Sequence, residues 1–177
     1  NVTVGKTKKI NISFSPEGAS AKKITWESSN SNIATISSSG IVKGVSEGNT
    51  IITATTDNGV KATANIVVLP LPTSVSLPNA LTVYVGYSRT ITPTVLPANS
   101  ETSYTWKSSD SSIATVSSGK ITGKRTGTTN ITVTTENGKT ANCEVTIQSV
   151  PVELNAKNAN NRANVIETIV KRSIKNN

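Results

Sequence analysis

A thirteen-residue segment occurs twice in this 177-residue chain, and no other feature constrains the fold as strongly. The first copy, at 26–38, reads Trp-Glu-Ser-Ser-Asn-Ser-Asn-Ile-Ala-Thr-Ile-Ser-Ser, and the second, at 106–118, differs at four of the thirteen positions. Three glycines follow each segment at matching places: Gly40, Gly44 and Gly48, then Gly119, Gly123 and Gly127. The repeat predicts two copies of one domain, over 1–69 and 70–148, followed by a separate segment over 149–177.

Comparison of the copies indicates which side chains point inward, because a core position stays apolar in both. Ile52 and Ala54 match apolar residues at 131 and 133, whereas Ile51 is replaced by Asn130 and is therefore predicted to be exposed. Other predicted inward positions are Ala62, Ala64, Ile66 and Val68, matched by Ala141, Cys143, Val145 and Ile147. Two further strands are predicted from Ile10 with Phe14, matched by Ile91 with Val95, and from Ile24 with Trp26, matched by Tyr104 with Trp106. This period-two alternation, without helical periodicity, predicts an all-β sandwich in each copy.

The connections between strands carry their own signals. Asn58-Gly59 and Asn137-Gly138 each join two predicted strands, and they favour a type I′ hairpin because both residues accept a positive φ. Leu69-Pro70-Leu71-Pro72 is expected to be a semi-rigid extended spacer between the copies. Val75 and Leu77 then open the second copy with a strand that the first copy lacks. Since the sequence also has no Met, we expect a fragment or a processed product of a longer protein.

The composition excludes most classes of catalysis. There is no His to act as a base for a Ser nucleophile, and a single Cys provides neither a disulfide nor a ligand set for zinc or haem. Among the ten acids, Asp57, Asp110 and Glu136 fall at predicted turns, where such residues shape the backbone. We predict no catalytic residue, no metal site and no cofactor.

The Trp and Cys residues have structural explanations. Trp26 and Trp106 fall on predicted inward faces, which favours core packing over ligand stacking. Cys143 takes the place of Ala64, which favours a buried, inert thiol over a reactive nucleophile.

The net charge of +8 is distributed along the chain: +3 over 1–69, +2 over 70–148 and +3 over 149–177. A nucleic-acid binder concentrates positive charge on one face, so specific nucleic-acid binding is not predicted. Weak attraction to anionic wall polymers or lipids stays open. No apolar run reaches the 18 or so residues that a transmembrane helix needs.

The order of these motifs resembles the bacterial immunoglobulin-like domain, group 2. It runs from Val-Gly and Pro, through Trp-x-Ser-Ser-[Asn/Asp]-Ser-x-Ile-Ala-Thr-[Ile/Val], to spaced glycines and an Asn-Gly hairpin, and it covers residues 1–148. The resemblance implies two tandem immunoglobulin-like β-sandwiches in a secreted or surface-displayed protein. It carries no catalytic residues, and such modules occur in adhesins, as accessory repeats of extracellular enzymes and in phage virion proteins.

Two sets of residues are candidate contacts. Tyr84 and Tyr87 are the aromatic residues expected at the surface, where they suit stacking on a sugar or a base, and the first copy has Thr3 and Lys6 in their places. In the C-terminal segment, apolar residues follow a helix-like spacing among basic ones. Its candidate contacts with a partner or with another copy of the chain are Ile166, Ile169, Val170, Lys171 and Arg172. The alternatives for this segment are the truncated start of a further domain and a flexible end.

Three functions fit these features. The first is a non-catalytic extracellular spacer or adhesion module of a bacterial cell-surface or secreted protein, which binds a host-surface protein, a carbohydrate or a cell-wall polymer. The second is a structural protein of a phage virion, in the tail or as decoration, that contacts the host wall. The third is a set of accessory domains of a wall or glycan hydrolase.

Overall fold

The computed structural model describes residues 1–16, 20–21 and 23–151. Every regular element in this part of the chain is a β-strand, which confirms the predicted all-β fold. Within the described residues, no helix is long and apolar enough to cross a membrane.

The first repeat forms two sheets. Its strands are β1 (Val2–Thr3), β2 (Thr7–Lys9), β3 (Ile24–Ser28), β4 (Ala34–Ile36), β5 (Ile41–Gly44), β6 (Gly48–Thr56) and β7 (Lys61–Leu69). One sheet has the order β1-β7-β6-β3 and the other the order β2-β5-β4. β1 runs parallel to β7, and the other pairs are antiparallel. The apolar faces of the strands enclose a core of Val2, Ala34, Val42, Ile52 and Val68.

The second repeat forms the corresponding sheets and one more. Its strands are β8 (Ser74–Ser76), β9 (Ala80–Tyr84), β10 (Ser88–Thr90), β11 (Thr94–Leu96), β12 (Tyr104–Ser108), β13 (Ala114–Ser117), β14 (Lys120–Gly123), β15 (Gly127–Thr135) and β16 (Thr140–Gln148). The two main sheets have the orders β12-β15-β16-β9 and β10-β14-β13, and β11 pairs with β8. As in the first repeat, the opening strand of the larger sheet, β9, runs parallel to the last strand, β16.

The contacts divide the chain into two compact units whose limits differ from those of the repeats. One contains residues 1–76, 93–105 and 134–140, and the other contains 77–92, 106–133 and the described residues from 141 onward. The boundaries 1–69, 70–148 and 149–177 therefore stay predictions.

The inward and outward faces of β6 and β15 are confirmed. Ile52 is 1% exposed and its neighbour Ile51 is 45% exposed, while Ile131 and Val133 are buried. On β7 the prediction is wrong for Ala62, which is exposed. Within the described residues, β1 pairs with β7 at Val68 and Leu69 alone, and no described strand lies beside the other end of β7 on that side. Tyr104 was also expected to face inward but is 37% exposed.

The prediction of type I′ hairpins at Asn58-Gly59 and Asn137-Gly138 is also wrong. Thr56 N donates to Val60 O at 2.9 Å, and Gly59 N donates to Thr56 O at 3.0 Å, so the loop has three residues. Gly59 has a φ of +85°, but Asn58 is not among the residues with positive φ, as a type I′ turn requires. The asparagine instead accepts a hydrogen bond from Thr56 Oγ1 at 2.5 Å. The hairpin is therefore the three-residue form that ends in a glycine bulge, and the second repeat has the same form around Gly138.

The proline-rich connection between the repeats is packed rather than solvated. Pro70 and Pro72 are buried, and only Leu71 between them is exposed. The carbonyl oxygen of Pro72 accepts a hydrogen bond from Asn137 Nδ2 at 2.7 Å. Tertiary contacts therefore hold this segment in place, in addition to the stiffness of its prolines.

The strand predicted at Val75 is present as β8, and Val75 lies opposite Val95 of β11. In the first repeat, Phe14 matches Val95 but is 37% exposed, and residues 13–15 do not form a strand. This part of the first repeat differs from the prediction because a strand needs a neighbour, and the described first repeat has no counterpart of β8.

Candidate binding surface

The candidate ligand contacts Tyr84 and Tyr87 occupy the two ends of one β-turn. Tyr87 N donates to Tyr84 O at 3.0 Å, and Gly86 between them has a φ of +83°. A positive φ at the third position is what a type II turn requires, which explains the glycine. The turn transfers the chain from β9 in the larger sheet to β10 in the smaller one.

Backbone hydrogen bonds fix this turn to both sheets. Val85 N donates to Gln148 O at 2.9 Å, at the end of β16. Gly86 N donates to Gly123 O at 2.8 Å, at the end of β14. The backbone that carries the two tyrosines is therefore held on both sides of the sandwich.

The two tyrosines differ in exposure. Tyr87 is 46% exposed, whereas Tyr84 is half-buried. Next to Tyr87, the hydroxyls of Ser88 and Thr122 lie 2.8 Å apart on adjacent strands. An exposed aromatic ring suits contact with a polar ligand that has a flat apolar face, such as a sugar ring.

The first repeat has the same turn with different side chains. Lys6 N donates to Thr3 O at 2.9 Å, and Gly5 has a φ of +81°. Thr3 and Lys6 therefore occupy the positions of Tyr84 and Tyr87 on an equivalent backbone. Both repeats thus share the backbone of this turn, and the second repeat alone carries aromatic side chains on it.

The serines of the repeated motif have a structural role that their sequence pattern did not predict. Thr50 is 4% exposed, and its Oγ1 accepts a hydrogen bond from Asn30 N at 3.1 Å and lies 3.0 Å from Ser29 Oγ. Ser29 Oγ in turn accepts from Ile51 N at 3.0 Å. In the second repeat, Thr129, Ser109 and Asp110 make the same contacts. The motif hydroxyls thus attach β6 and β15 to the segments that follow β3 and β12, and the matching threonines in the two copies were the available signal.

The acidic residues singled out from the sequence lie at turns, as predicted. Asp110 Oδ1 accepts hydrogen bonds from Ser112 Oγ at 2.6 Å and from Ser112 N at 2.8 Å. These two bonds, and more weakly the Ile113 N–H and the charge of Arg125, hold the pKa of Asp110 below its ordinary value. Asp57 and Glu136 lie in the hairpin loops. Within the described residues, no three His, Cys, Asp or Glu side chains group together as metal ligands would.

The predicted inward positions of the Trp and Cys residues are confirmed. Trp26 and Trp106 pack against the cores of their repeats. Cys143 is fully buried and unpaired, and its burial raises the pKa of the thiol. The candidate contacts of the C-terminal segment, Ile166, Ile169, Val170, Lys171 and Arg172, lie outside the described residues.

One protein family matches both repeats of this chain. A model of the bacterial Ig-like domain (group 2) matches residues 1–67 and again residues 73–145. The chain belongs to this family. Its two bacterial Ig-like repeats thus agree with the resemblance carried by the Trp-Ser-Ser motif and its glycines.

Among individual proteins, the chain is similar to an Ig-like virion protein of Serratia phage KSP90, with 33% identity over 82% of this chain and 60% of that protein. It is similar to a minor capsid protein of Enterobacteria phage T3, with 40% identity over 46% of this chain and 19% of that protein. It is also similar to an alpha-L-arabinofuranosidase of Bifidobacterium longum, with 30% identity over 67% of this chain and 12% of that enzyme. The chain therefore spans less than two thirds of each relative. A solved structure of the S-layer protein rSbsC is 20% identical, with a TM-score of 0.42 over 76% of this chain and 21% of that chain.

Proposed function

We propose that this chain is a non-catalytic structural module on the outer surface of a phage virion, where it contacts the wall of the host bacterium. The observation that carries this proposal is the similarity to the Ig-like virion protein, which extends over most of the chain. The similarity to the minor capsid protein of phage T3 also supports it, because that protein is a second structural protein of a phage. Both similarities concern proteins that are longer than this chain, so its placement on the particle is part of the proposal.

The geometry supports a mechanical rather than a catalytic function. The motif hydroxyls around Thr50 and Thr129 are engaged in hydrogen bonds that attach a strand to the segment after its neighbour. The carboxylate of Asp110 is likewise occupied by its own turn. With no His in the sequence, a Ser nucleophile has no imidazole base.

Within this function, the turn at Tyr84–Tyr87 is the proposed contact with a wall carbohydrate. A direct test exchanges Tyr84 and Tyr87 for the first repeat's residues, as Tyr84→Thr/Tyr87→Lys, because the first repeat builds the same turn with them. We expect the exchanged chain to lose co-sedimentation with purified host cell wall. The converse variant, Thr3→Tyr/Lys6→Tyr, controls for added aromatic surface, and equal binding by wild type and the Tyr84→Thr/Tyr87→Lys variant would overturn this contact.

A bacterial setting is the second candidate. The similarity to a bacterial arabinofuranosidase, over two thirds of this chain but only 12% of the enzyme, favours an accessory or spacer module of an extracellular protein. The turn at Tyr84–Tyr87 is compatible with a carbohydrate ligand in that setting as well.

Immunogold electron microscopy distinguishes the two settings. Antibodies against this chain are applied to gradient-purified phage particles and to intact uninfected cells from the same culture. We expect gold on the particles, at one repeated position. Labelling of the uninfected cell surface alone favours the spacer or adhesion module and contradicts the virion proposal.

A further inference from the structure

A cleft of about 460 Å³ opens between the edges of the two main sheets of the second repeat. It lies between β9 and β10, which are end strands of their sheets. Its lining includes Thr82 and Arg89, each two residues from one of the tyrosines of the turn that joins β9 to β10. Two residues of a strand span about 7 Å, so the cleft adjoins the candidate tyrosine contact. Its volume is typical of sites for small ligands.

Arg89 is the charged residue of this cleft, and no other described residue of its lining carries a charge. Arg89 lies opposite Ile121 of β14, and residues opposite each other on neighbouring strands point to the same face of the sheet. Ile121 is fully buried, whereas Arg89 is exposed. The Arg89 side chain therefore starts on the core side of its sheet and extends outward through the opening between β9 and β10.

The guanidinium of Arg89 is available to a ligand. Within the described part of the chain, it has no hydrogen bond or ion pair to a protein group. Arg125, in the same repeat, instead donates to Ser112 Oγ at 3.2 Å. The N–H donors of a guanidinium form a planar fork that binds both oxygens of a carboxylate or two oxygens of a phosphate. The free fork of Arg89 therefore suits an anionic group in the cleft.

Polar groups line the two sides of the cleft. Thr82, Thr90 and Thr92 are exposed and contribute hydroxyls. At the ends of β9 and β10, the backbone bonds to the neighbouring strands involve odd-numbered residues, namely Asn79, Val85, Tyr87 and Ile91. Because successive residues of a strand direct their N–H and C=O groups to alternate edges, Thr82 and Thr90 direct theirs to the open edges. These groups can bind the hydroxyls of a sugar.

The floor of the cleft is apolar. Leu81 and Ile91 are 8% and 7% exposed, and they form the base together with Pro78. An apolar floor, hydroxyls along the sides and one guanidinium match a sugar ring that carries an anionic group. A nucleic acid matches less well, because it has a phosphate at every nucleotide and the lining of the cleft has one cation.

We propose that this cleft binds an acidic unit of a cell-wall carbohydrate, with Arg89 as the contact for its carboxylate or phosphate group. The inference rests on the proposed contact between wall carbohydrate and the Tyr84–Tyr87 turn, and it names the chemistry of that ligand. Tyr87 stacks on one sugar, and the next unit along the cleft places its anion at the Arg89 guanidinium. Thr82 and Thr90 bind the hydroxyls of that unit.

Co-sedimentation of the full chain with purified host cell wall tests the anion contact. We expect Arg89→Gln to weaken binding roughly tenfold or more, because it removes a charged hydrogen-bond donor. Arg89→Lys keeps the charge without the fork and should bind with intermediate affinity. The matched control is Lys107→Gln, which removes one exposed charge from β12, the other end strand of the larger sheet, and should bind as wild type does.

The outcomes of this experiment separate the anion contact from the proposed function. Equal affinity of Arg89→Gln and wild type overturns the anion contact, and the tyrosine contact stands if Tyr84→Thr/Tyr87→Lys still loses binding. Equal losses in Arg89→Gln and Lys107→Gln also overturn it, because net charge alone then accounts for the binding. A wild type that does not sediment with the wall contradicts the proposed wall contact itself.

NMR titration of the isotope-labelled full chain with three disaccharides tests the cleft without the wall. Cellobiose, cellobiouronic acid and cellobiose 6′-phosphate share one backbone, and they carry a neutral, a carboxylate or a phosphate group at the same position. We expect the amide signals of Thr82 and Thr90 to shift with an acidic disaccharide, at an affinity roughly tenfold or more above that for cellobiose. Which of the two acids binds more tightly identifies the anion, and Arg89→Gln should remove the preference. Equal affinity of wild type for all three disaccharides, or binding of none, overturns the inference whether or not the chain contacts the wall.

Discussion

The indole ring of Trp26 lies directly against Gly40, so that a Cβ atom added to this glycine would be 2.8 Å from Trp26 Cζ2. Gly40 also has a φ of +76°, where L-residues are strained. The spaced glycine of the repeated motif is therefore the surface on which the motif tryptophan packs. In the second repeat, Trp106 packs on Gly119 in the same way, and a Cβ atom added to Gly119 would be 3.3 Å from Trp106 Cζ2.

This contact predicts different costs for two alanine substitutions in the same repeat. Gly59 has a φ of +85° but nothing within 4 Å of an added Cβ, so Gly59→Ala adds backbone strain of about 1 kcal/mol. Gly40→Ala adds the same strain and also displaces the Trp26 ring, for a total of roughly 2–4 kcal/mol. Urea unfolding monitored by Trp fluorescence measures both, and equal costs would contradict the packing argument.

A second prediction concerns the buried hydroxyl of Thr50. Thr50→Val keeps the side-chain shape but removes the acceptor for Asn30 N and the partner of Ser29 Oγ. Because polar groups without partners are costly when buried, we expect a loss of about 1–3 kcal/mol in the free energy of unfolding. Thr63→Val, at an exposed position of β7, is the control and should stay within about 0.5 kcal/mol of wild type. Thr129→Val should repeat the effect in the second repeat.

The faces of the long strands could be predicted because two copies of the same strand were available for comparison. Ile51 and Ile52 are indistinguishable from one copy, and the replacement of Ile51 by Asn130 decides between them. The rule that core positions are apolar in both copies does not identify Thr50 and Thr129, which are polar although each is only 4% exposed. Core positions can be polar where hydrogen bonds to backbone and side chains satisfy them.

The remaining errors come from properties that are not local. The turn at Asn58 depends on how many residues separate the last paired positions, and three rather than two separate Thr56 from Val60. The alternation predicts inward side chains for Phe14 and Ala62, but both are exposed because an inward side chain also needs a neighbouring strand to cover it. The candidate site was predicted as two exposed tyrosines, and only the fold reveals that they end the same turn and that Tyr84 is half-buried.

A third prediction concerns the reactivity of Cys143. Its thiol is fully buried and burial raises its pKa, so little thiolate is present or accessible at neutral pH. In native protein, labelling by a thiol-specific disulfide reagent should be at least a hundredfold slower than in urea. Cys143→Ala introduces the residue that the first repeat has at Ala64 and should cost about 1 kcal/mol. Cys143→Ser should cost more, because it buries a hydroxyl among Ile131, Val145 and other apolar residues.

The last prediction follows from the lowered pKa of Asp110. A carboxylate whose pKa is lower in the folded than in the unfolded chain stabilises the fold above the unfolded value of about 3.9, and this contribution is lost as the pH falls through the folded pKa. Asn30 fills the same turn in the first repeat and accepts the matching bond from Asn32 N at 3.0 Å, so Asp110→Asn should preserve the turn without the titration. The difference in unfolding free energy between wild type and Asp110→Asn should be constant from pH 7 to about pH 5. Below about pH 4, wild type should lose stability relative to Asp110→Asn. Urea unfolding at pH 7, 5 and 3 measures this difference, and NMR titration of the Asp110 carboxyl carbon checks the pKa directly. A difference that does not change with pH, or a pKa at or above the unfolded value, would contradict the stabilisation of this carboxylate by Ser112.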